Sequence, residues 1–158
     1  MTTAIRQGCT ALSVRRGGSG DITYLLLHGL GATGEVWQGL TDLIDRHNAG
    51  QWLVPDLRGH GRSTWGAPYT YESLADDLLP LIKDSGRVVV VGHSMGGVIA
   101  LVLGGSQGNI EQVIGVGIKT CWRDEELARM QDLAERPVRW LATREEAVER
   151  YLKVSGLV

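Results

Sequence analysis

The most informative segment of the chain is Val88-Val89-Val90-Val91-Gly92-His93-Ser94-Met95-Gly96-Gly97. Four consecutive valines cannot alternate between a buried and an exposed face. They therefore predict a short strand that is buried on both sides, as in a parallel sheet covered by helices. The apolar run from Val98 to Leu103 predicts a buried helix after the turn. A strand, a tight Gly-x-Ser-x-Gly turn and a helix in this order predict that Ser94 lies at the apex of a nucleophile elbow.

The turn around Ser94 has the residue types that an exposed nucleophile requires. A serine at such an apex adopts a strained backbone conformation, and its hydroxyl projects above the end of the sheet. Flanking glycines are needed because the strand and the helix pass too close for a side chain. The first amides of the helix face the same point and can stabilise an oxyanion. The alternative is an ordinary glycine-rich turn without a catalytic role.

A second motif begins at Tyr24, where a buried strand is predicted to run into His28-Gly29-Leu30. A third motif spans Trp52 to Ser63, where a short strand is followed by a loop rich in glycine and charge. We expect Asp56 and Arg58 to pin this loop by hydrogen bonds and ion pairing, and a catalytic role for Asp56 or His60 is the alternative. The loop lacks the Lys-Ser/Thr ending of a phosphate-binding loop, which argues against nucleotide binding.

Together the three motifs resemble the α/β-hydrolase superfamily, in its branch with a serine nucleophile, over about residues 22 to 118. The resemblance implies that Ser94 is the nucleophile and that the backbone amides of Leu30 and Met95 bind the oxyanion. His28 is expected to be structural, with its ring bonded to nearby backbone. No metal and no cofactor is implied.

The remaining elements predict an α/β fold with a mostly parallel sheet and helices on both faces. Helices are predicted at Thr33–His47, with Val36, Trp37, Leu40, Leu43 and Ile44 on the inner face, and at Thr70–Asp84, with Tyr71 on the inner face and Pro80 as a kink or early end. An outer strand is predicted at Thr10–Arg16, and a further buried strand at Val113–Ile118.

The predicted domain organisation has two parts. Residues 1–118 are expected to form the N-terminal part of a hydrolase core, and residues 119–158 a helical cap-like segment with Asp124 near its start and a capping-box match at Thr143. The C-terminal part of the core is expected to lie outside this chain, so that the fold is truncated. The cap-like segment supplies the candidate pocket-lining residues Trp122, Met130, Trp140 and Tyr151. The alternative is that these four residues only pack the helices.

Composition limits the partners of the protein. The chain has 158 residues and a net charge of −2, and its basic residues form no stripe, which argues against nucleic-acid binding. No apolar window is long enough to span a bilayer, and no signal peptide is visible. Cys9 and Cys121 have neither metal nor redox spacing. We therefore expect a cytoplasmic protein without a nucleic-acid or membrane partner. The resemblance implies that its partner is a small-molecule acyl substrate.

The four histidines of the chain, His28, His47, His60 and His93, all precede Ser94. The resemblance implies a triad in the order serine, acid, histidine, so the histidine and the acid are missing from this chain. Either another chain or the remainder of the same protein supplies them, or this is a natural short protein without hydrolase activity. This chain alone is expected to be inactive, because a serine without its base is a poor nucleophile.

The leading functional hypothesis is a serine hydrolase that cleaves a carboxylic ester, thioester or lactone through an acyl-enzyme on Ser94. Serine at the nucleophile position argues against the dehalogenase and epoxide-hydrolase branches, which carry aspartate there. Two alternatives stay open. One is a non-hydrolytic acyl transferase, lyase or perhydrolase that uses the same site, and the other is a non-catalytic binding or assembly module.

Overall fold

The structure is a computed structural model that describes residues 2–7, 10–106, 108–137 and 140–154. Cys9 lies outside the described residues. The strands are β1 (Thr2–Gln7), β2 (Thr10–Gly18), β3 (Ile22–Leu27), β4 (Gln51–Pro55), β5 (Arg87–His93) and β6 (Ile110–Val116). The α-helices are α1 (Gln38–His47), α2 (Tyr71–Asp76), α3 (Leu79–Ile82), α4 (Met95–Gly104), α5 (Asp124–Glu135) and α6 (Arg144–Val154).

The strands form a six-stranded sheet in the order β1-β2-β4-β3-β5-β6. Strands β4, β3, β5 and β6 run parallel to one another, whereas β1 and β2 form antiparallel pairs. This confirms the predicted α/β fold with a mostly parallel sheet. The strand predicted at Thr10–Arg16 lies within β2, but it is not the outer strand, because β1 lies outside it.

Apolar side chains cover the sheet on both faces. One cluster joins Leu25, Leu27, Val88 and Val90 to residues of α2, α3 and α4. The other joins Leu26, Val54, Val89 and Val91 to Ile44 of α1. The four valines of β5 are 0–8% exposed, which confirms that this strand is buried on both sides.

The helix predicted at Thr33–His47 is divided. Thr33 caps a 3-10 turn at Gly34–Trp37, and α1 follows. Asn48, with a left-handed backbone conformation (φ 46°), is the C-cap of α1. Val36 and Leu43 were expected on the inner face but are exposed. The tighter 3-10 turn changes the angular spacing of side chains. Ile44 is buried as expected, together with Thr41, and Trp37 and Leu40 pack against the same cluster.

The helix predicted at Thr70–Asp84 is interrupted as expected. Thr70 caps α2 by accepting a hydrogen bond from the Ser73 amide at 3.2 Å, and Pro80 lies in the first turn of α3. Proline is accepted there because the first amides of a helix have no intrahelical partner. Tyr71 was expected on the inner face, but it is the first residue of α2 and is 45% exposed.

Strand β6 departs from the prediction of a buried strand at Val113–Ile118. It lies at the end of the strand order and pairs with β5. Helix α4 packs against one face, where a Cβ added to Gly104 would lie 2.7 Å from the Val113 side chain. Ile114 and Val116, on the opposite face, remain 40% and 46% exposed. A run of β-branched residues predicts a strand, but burial depends on neighbours that the run itself does not specify.

The chain divides into two compact units, Met1–Lys119 and Thr120–Val158. The second unit contains α5 and α6. At the start of α5 the Arg123 amide donates to the Glu126 carboxylate at 3.0 Å. At the start of α6 the Glu146 amide donates to Thr143 Oγ1 at 3.2 Å, while the Glu146 carboxylate accepts from the Ala142 amide. The predicted capping box is therefore present with its acid bonded one residue earlier than usual.

Candidate active site

Ser94 lies between the end of β5 and the start of α4, with φ 51° and ψ −117°. A positive φ at a residue with a side chain is strained, and such strain persists only where the surrounding structure enforces it. Here the Ser94 amide donates to the Val116 carbonyl at 2.9 Å. The Ser94 carbonyl accepts from the amides of Gly97 at 2.9 Å and Val98 at 3.2 Å. Ser94 is thus held from both sides, and it is partly exposed.

The glycines of the elbow permit a close approach of backbone to backbone. A Cβ added to Gly92 would collide with the backbone of Gly96 and Gly97. A Cβ added to Gly96 would collide with the carbonyl oxygens of Leu27 and His28, at the end of β3. The elbow therefore packs directly on the main chain of the neighbouring strand, where no side chain fits.

The segment after β3 lies beside Ser94. Leu27 pairs with Gly92 in the parallel register of β3 and β5. A Cβ added to Gly29 would lie 3.3 Å from Cβ of Ser94 and 3.0 Å from Nδ1 of His93. The peptide between Gly29 and Leu30 is therefore adjacent to the Ser94 side chain.

The amides of Leu30 and Met95 are the two predicted donors to an oxyanion. Met95 is the first residue of α4, where an amide has no acceptor within the helix. Within the described part of the chain, neither amide donates to another backbone group outside the regular helices and strands. The Leu30 side chain is 76% exposed, so this loop is at the surface.

His28 is fully buried and bonded at both ring nitrogens. The Leu57 amide donates to Nε2 at 3.0 Å, and Nδ1 lies 2.8 Å from the Gly29 carbonyl oxygen. The His60 ring packs edge-on against it, with ring centroids 5.0 Å apart. Burial lowers the pKa of His28 below its ordinary value, and the hydrogen bond to Gly29 opposes this shift only in part. These contacts agree with the expected structural role of the ring.

Asp56 and Arg58 pin the loop after β4, but through different partners. The Asp56 carboxylate accepts from the amides of Gly34 at 2.8 Å and Arg62 at 3.0 Å. Arg58 forms a bidentate ion pair with Asp77, which directly follows α2, with N···O distances of 2.7 and 2.6 Å. The hydrogen bond to Asp77 raises the pKa of the Arg58 guanidinium. Sequence reasoning missed Asp77, although a buried arginine in a loop always requires an acceptor.

No side chain among the described residues forms a hydrogen bond with the Ser94 hydroxyl. His60 Nδ1 lies 3.1 Å from the Arg58 carbonyl, and His47 is exposed at the end of α1. The side chain of His93 is exposed beside Gly29 and Gly117. Asp124, near the start of the cap-like segment, is the first residue of α5. The described residues thus bring together the elbow and the two amides, without a base on Ser94.

The four candidate pocket-lining residues all belong to the second unit. Trp122, Met130, Trp140 and Tyr151 are exposed, Trp140 most of all at 88%. Their role in lining a pocket stays a prediction. In the described ranges, no cluster of three or more His, Cys, Asp or Glu side chains has the arrangement of a metal site. None of the described helices combines the length and the apolar character needed to cross a membrane.

Comparison with known proteins places these features in a family. The sequence profile of the Alpha/beta hydrolase family matches residues 24–155. The chain is 40% identical over 91 residues to the lipase LipV of Mycobacterium tuberculosis, covering 56% of this chain and 34% of that protein. It is 33% identical over 105 residues to the sn-1-specific diacylglycerol lipase ABHD11 of Danio rerio, covering 64% of this chain and 33% of that protein. It is also 42% identical over 84 residues to the magnesium-chelatase 30 kDa subunit of Rhodobacter capsulatus, covering 50% of this chain and 28% of that protein.

A solved esterase from Exiguobacterium antarcticum superposes with a TM-score of 0.71 at 27% identity, covering 80% of this chain and 50% of the esterase. The chain thus spans about a third of the length of the two lipases and half that of the esterase. The residues that match the family profile, 24–155, include the elbow, strand β5 before it and the loop after β4. The chain belongs to the α/β hydrolase family.

Proposed function

We propose that the protein is a serine hydrolase that cleaves a carboxylic ester through an acyl-enzyme on Ser94. The observation that carries this proposal is the Ser94 elbow, where a strained serine lies next to the peptide between Gly29 and Leu30. Strain of this kind at a surface turn is typical of residues that carry out chemistry. The family supports a hydrolase, and three of the relatives described above are called lipases or an esterase.

The proposed reaction has two halves. Ser94 Oγ bonds to the carbonyl carbon as its proton passes to a base, and the carbonyl π electrons move onto the oxygen. The amides of Leu30 and Met95 bind that oxyanion, and each such donor typically contributes about 10²–10³-fold to kcat. Collapse of the intermediate breaks the bond to the leaving alcohol, which takes the proton. Water then cleaves the acyl-enzyme by the same steps and releases the acid.

In this mechanism the base and its acid are not assigned to any of the described residues. All four histidines precede Ser94, and among the described residues none bonds to its hydroxyl. We propose that a histidine and a carboxylate from another part of the protein, or from a second chain, activate Ser94. The two cysteines have neither metal nor redox spacing, so we also propose a reducing, cytoplasmic compartment.

The test uses the protein expressed from its complete reading frame. Hydrolysis of p-nitrophenyl esters with acyl chains of increasing length is followed, together with a thioester and a lactone. We expect ester turnover that Ser94→Ala abolishes and that Ser106→Ala leaves unchanged. Ser106 is a matched control because, within the described residues, its hydroxyl donates to the Leu103 carbonyl at the end of α4. Equal turnover by Ser94→Ala and the unsubstituted protein would overturn the proposal.

A binding or assembly module is the second candidate. It is favoured by the position of every histidine before Ser94 and by a relative named as a subunit of magnesium chelatase. A reading frame that stops after Val158, with no turnover and no second chain copurifying, would support this candidate. Transfer of the acyl group to an added alcohol or amine, at the expense of hydrolysis, would instead support a non-hydrolytic acyl transferase.

A further inference from the structure

We propose that His28 is a positioning residue, which orients the peptide between Gly29 and Leu30 so that the Leu30 N–H faces the oxyanion formed at Ser94. This inference rests on the proposed function. It gives the buried His28 side chain a part in the reaction in addition to its part in packing. The ring's two hydrogen bonds and the planarity of one peptide together set the direction of this N–H.

The hydrogen bonds fix the proton on the His28 ring. The Leu57 amide donates to Nε2 at 3.0 Å, so Nε2 must be the unprotonated nitrogen. Nδ1 must then carry the proton and donate it to the Gly29 carbonyl oxygen, 2.8 Å away. Because burial lowers the pKa of His28, the neutral ring with this tautomer persists at neutral pH.

The Gly29 carbonyl and the Leu30 amide belong to one planar trans peptide, so their C=O and N–H bonds point in opposite directions. His28 holds the carbonyl from the buried side, and the Ala32 amide donates to the same oxygen at 3.2 Å. The Leu30 N–H consequently points away from the His28 ring. Hydrogen bonds to a carbonyl also polarise its peptide and strengthen the N–H as a donor.

The peptide that carries this N–H lies close to Ser94. A Cβ added to Gly29 would be 3.3 Å from Cβ of Ser94, and the Leu30 amide directly follows Gly29. The His28 ring thus bonds to the carbonyl of the same peptide that carries the Leu30 N–H. Its other hydrogen bond is to the Leu57 amide in the loop after β4. Loss of the Nδ1 bond should tilt the donor, whereas loss of the Nε2 bond should only loosen that loop.

Two substitutions separate these bonds. His28→Asn places an amide N–H near the position of Nδ1 and loses the acceptor for Leu57. His28→Gln places an amide oxygen near the position of Nε2 and loses the donor to Gly29. Both variants remove one hydrogen bond and some buried volume, so both lose stability. His47→Asn and His47→Gln, at an exposed position on α1, are the matched controls and should keep the activity of the unsubstituted protein.

The experiment measures p-nitrophenyl ester hydrolysis by the protein from its complete reading frame, at a temperature where every variant is folded by circular dichroism. We expect His28→Gln to lower kcat by about 10- to 100-fold with KM changed by less than about 3-fold, because the donor acts in the transition state. We expect His28→Asn to keep at least about ten times the kcat of His28→Gln. Equal losses of kcat in the two variants would overturn the inference while leaving the proposed function intact.

A measurement that does not depend on turnover distinguishes failure of the His28 inference from failure of the proposed function. Nitrogen NMR of the ring should show a protonated Nδ1 and an unprotonated Nε2 at neutral pH, and the opposite tautomer would refute the inference by itself. If the protein shows no turnover that depends on Ser94, the proposed function fails and this role of His28 fails with it. The tautomer would then report only how the ring is packed.

Discussion

The close packing of the elbow on β3 makes Gly96→Ala the most informative substitution for stability. Gly96 is the second residue of α4, and its new methyl group would collide with the carbonyl oxygens of Leu27 and His28. These are main-chain atoms of a buried strand, so they cannot rotate away as a flexible side chain would. Gly39 is the second residue of α1, is exposed, and has no atom within 4 Å of an added Cβ. Gly39→Ala is therefore a matched control.

The magnitude follows from two opposing effects. Forcing an extra methyl group into a packed site costs about 1–3 kcal/mol, and collision with backbone favours the upper end of this range. Replacement of glycine by alanine in a helix contributes up to about 1 kcal/mol of stabilisation. We expect Gly96→Ala to lower the free energy of unfolding by about 2 kcal/mol and Gly39→Ala to raise it by about 0.5–1 kcal/mol.

Urea unfolding followed by circular dichroism measures both variants, and the midpoints are compared at a common slope. The Gly96 variant should also lose ester hydrolysis in the complete protein, because a displaced β3 end moves the Leu30 amide. If the two alanine variants had the same unfolding free energy, the close approach of the elbow to β3 would be wrong.

Three further predictions concern the core and the charged groups. Replacing Arg58 by Met should lower the free energy of unfolding by about 3–5 kcal/mol, because Asp77 would stay buried without its partner, and Arg58→Met combined with Asp77→Leu should recover much of the loss in urea unfolding. A single variant with no measurable loss would contradict the pairing. Leu103→Ala in α4 should cost about 2–5 kcal/mol because the side chain is fully buried, whereas Leu101→Ala, 57% exposed in the same helix, should cost far less. Similar losses for both leucines would show that α4 is rotated. The lowered pKa of His28 means that the unfolded chain binds a proton first as the pH falls below about 6.5, so stability present above that pH is lost below it, by at most about 1.4 kcal/mol per pH unit. The pH dependence of the unfolding free energy between pH 5 and 7 should be weaker in His28→Asn, and an unchanged pH dependence would exclude His28 as the group responsible.

The sequence predicted those elements whose burial follows from a short run of neighbouring residues. Four valines in a row required a strand covered on both faces, and β5 has that environment. Pro80 required an interruption, and the structure has two short helices around it. The elbow followed from three residues whose spacing is tied to one backbone geometry, and Ser94 has the positive φ that this geometry demands.

The features that were missed depend on residues far apart in the chain. Strand β6 has the composition of a buried strand, but its exposure is set by its place at the end of the strand order. The partner of Arg58 is Asp77, which lies on another element, and charge pairing at this separation leaves no local signal. The sequence predicts that the His28 ring bonds to nearby backbone. Only the fold shows that one partner is the Leu57 amide in the loop after β4.

Covalent labelling shows whether the Ser94 hydroxyl is the nucleophile. The protein from its complete reading frame is treated with a fluorophosphonate and digested with trypsin, which releases the peptide Val88–Lys119. This peptide contains Ser94 and also Ser106, so fragment masses distinguish the nucleophile from an internal control serine. We predict one phosphonyl group on Ser94 and none on Ser106. An unlabelled peptide, or a label on Ser106, would contradict the account.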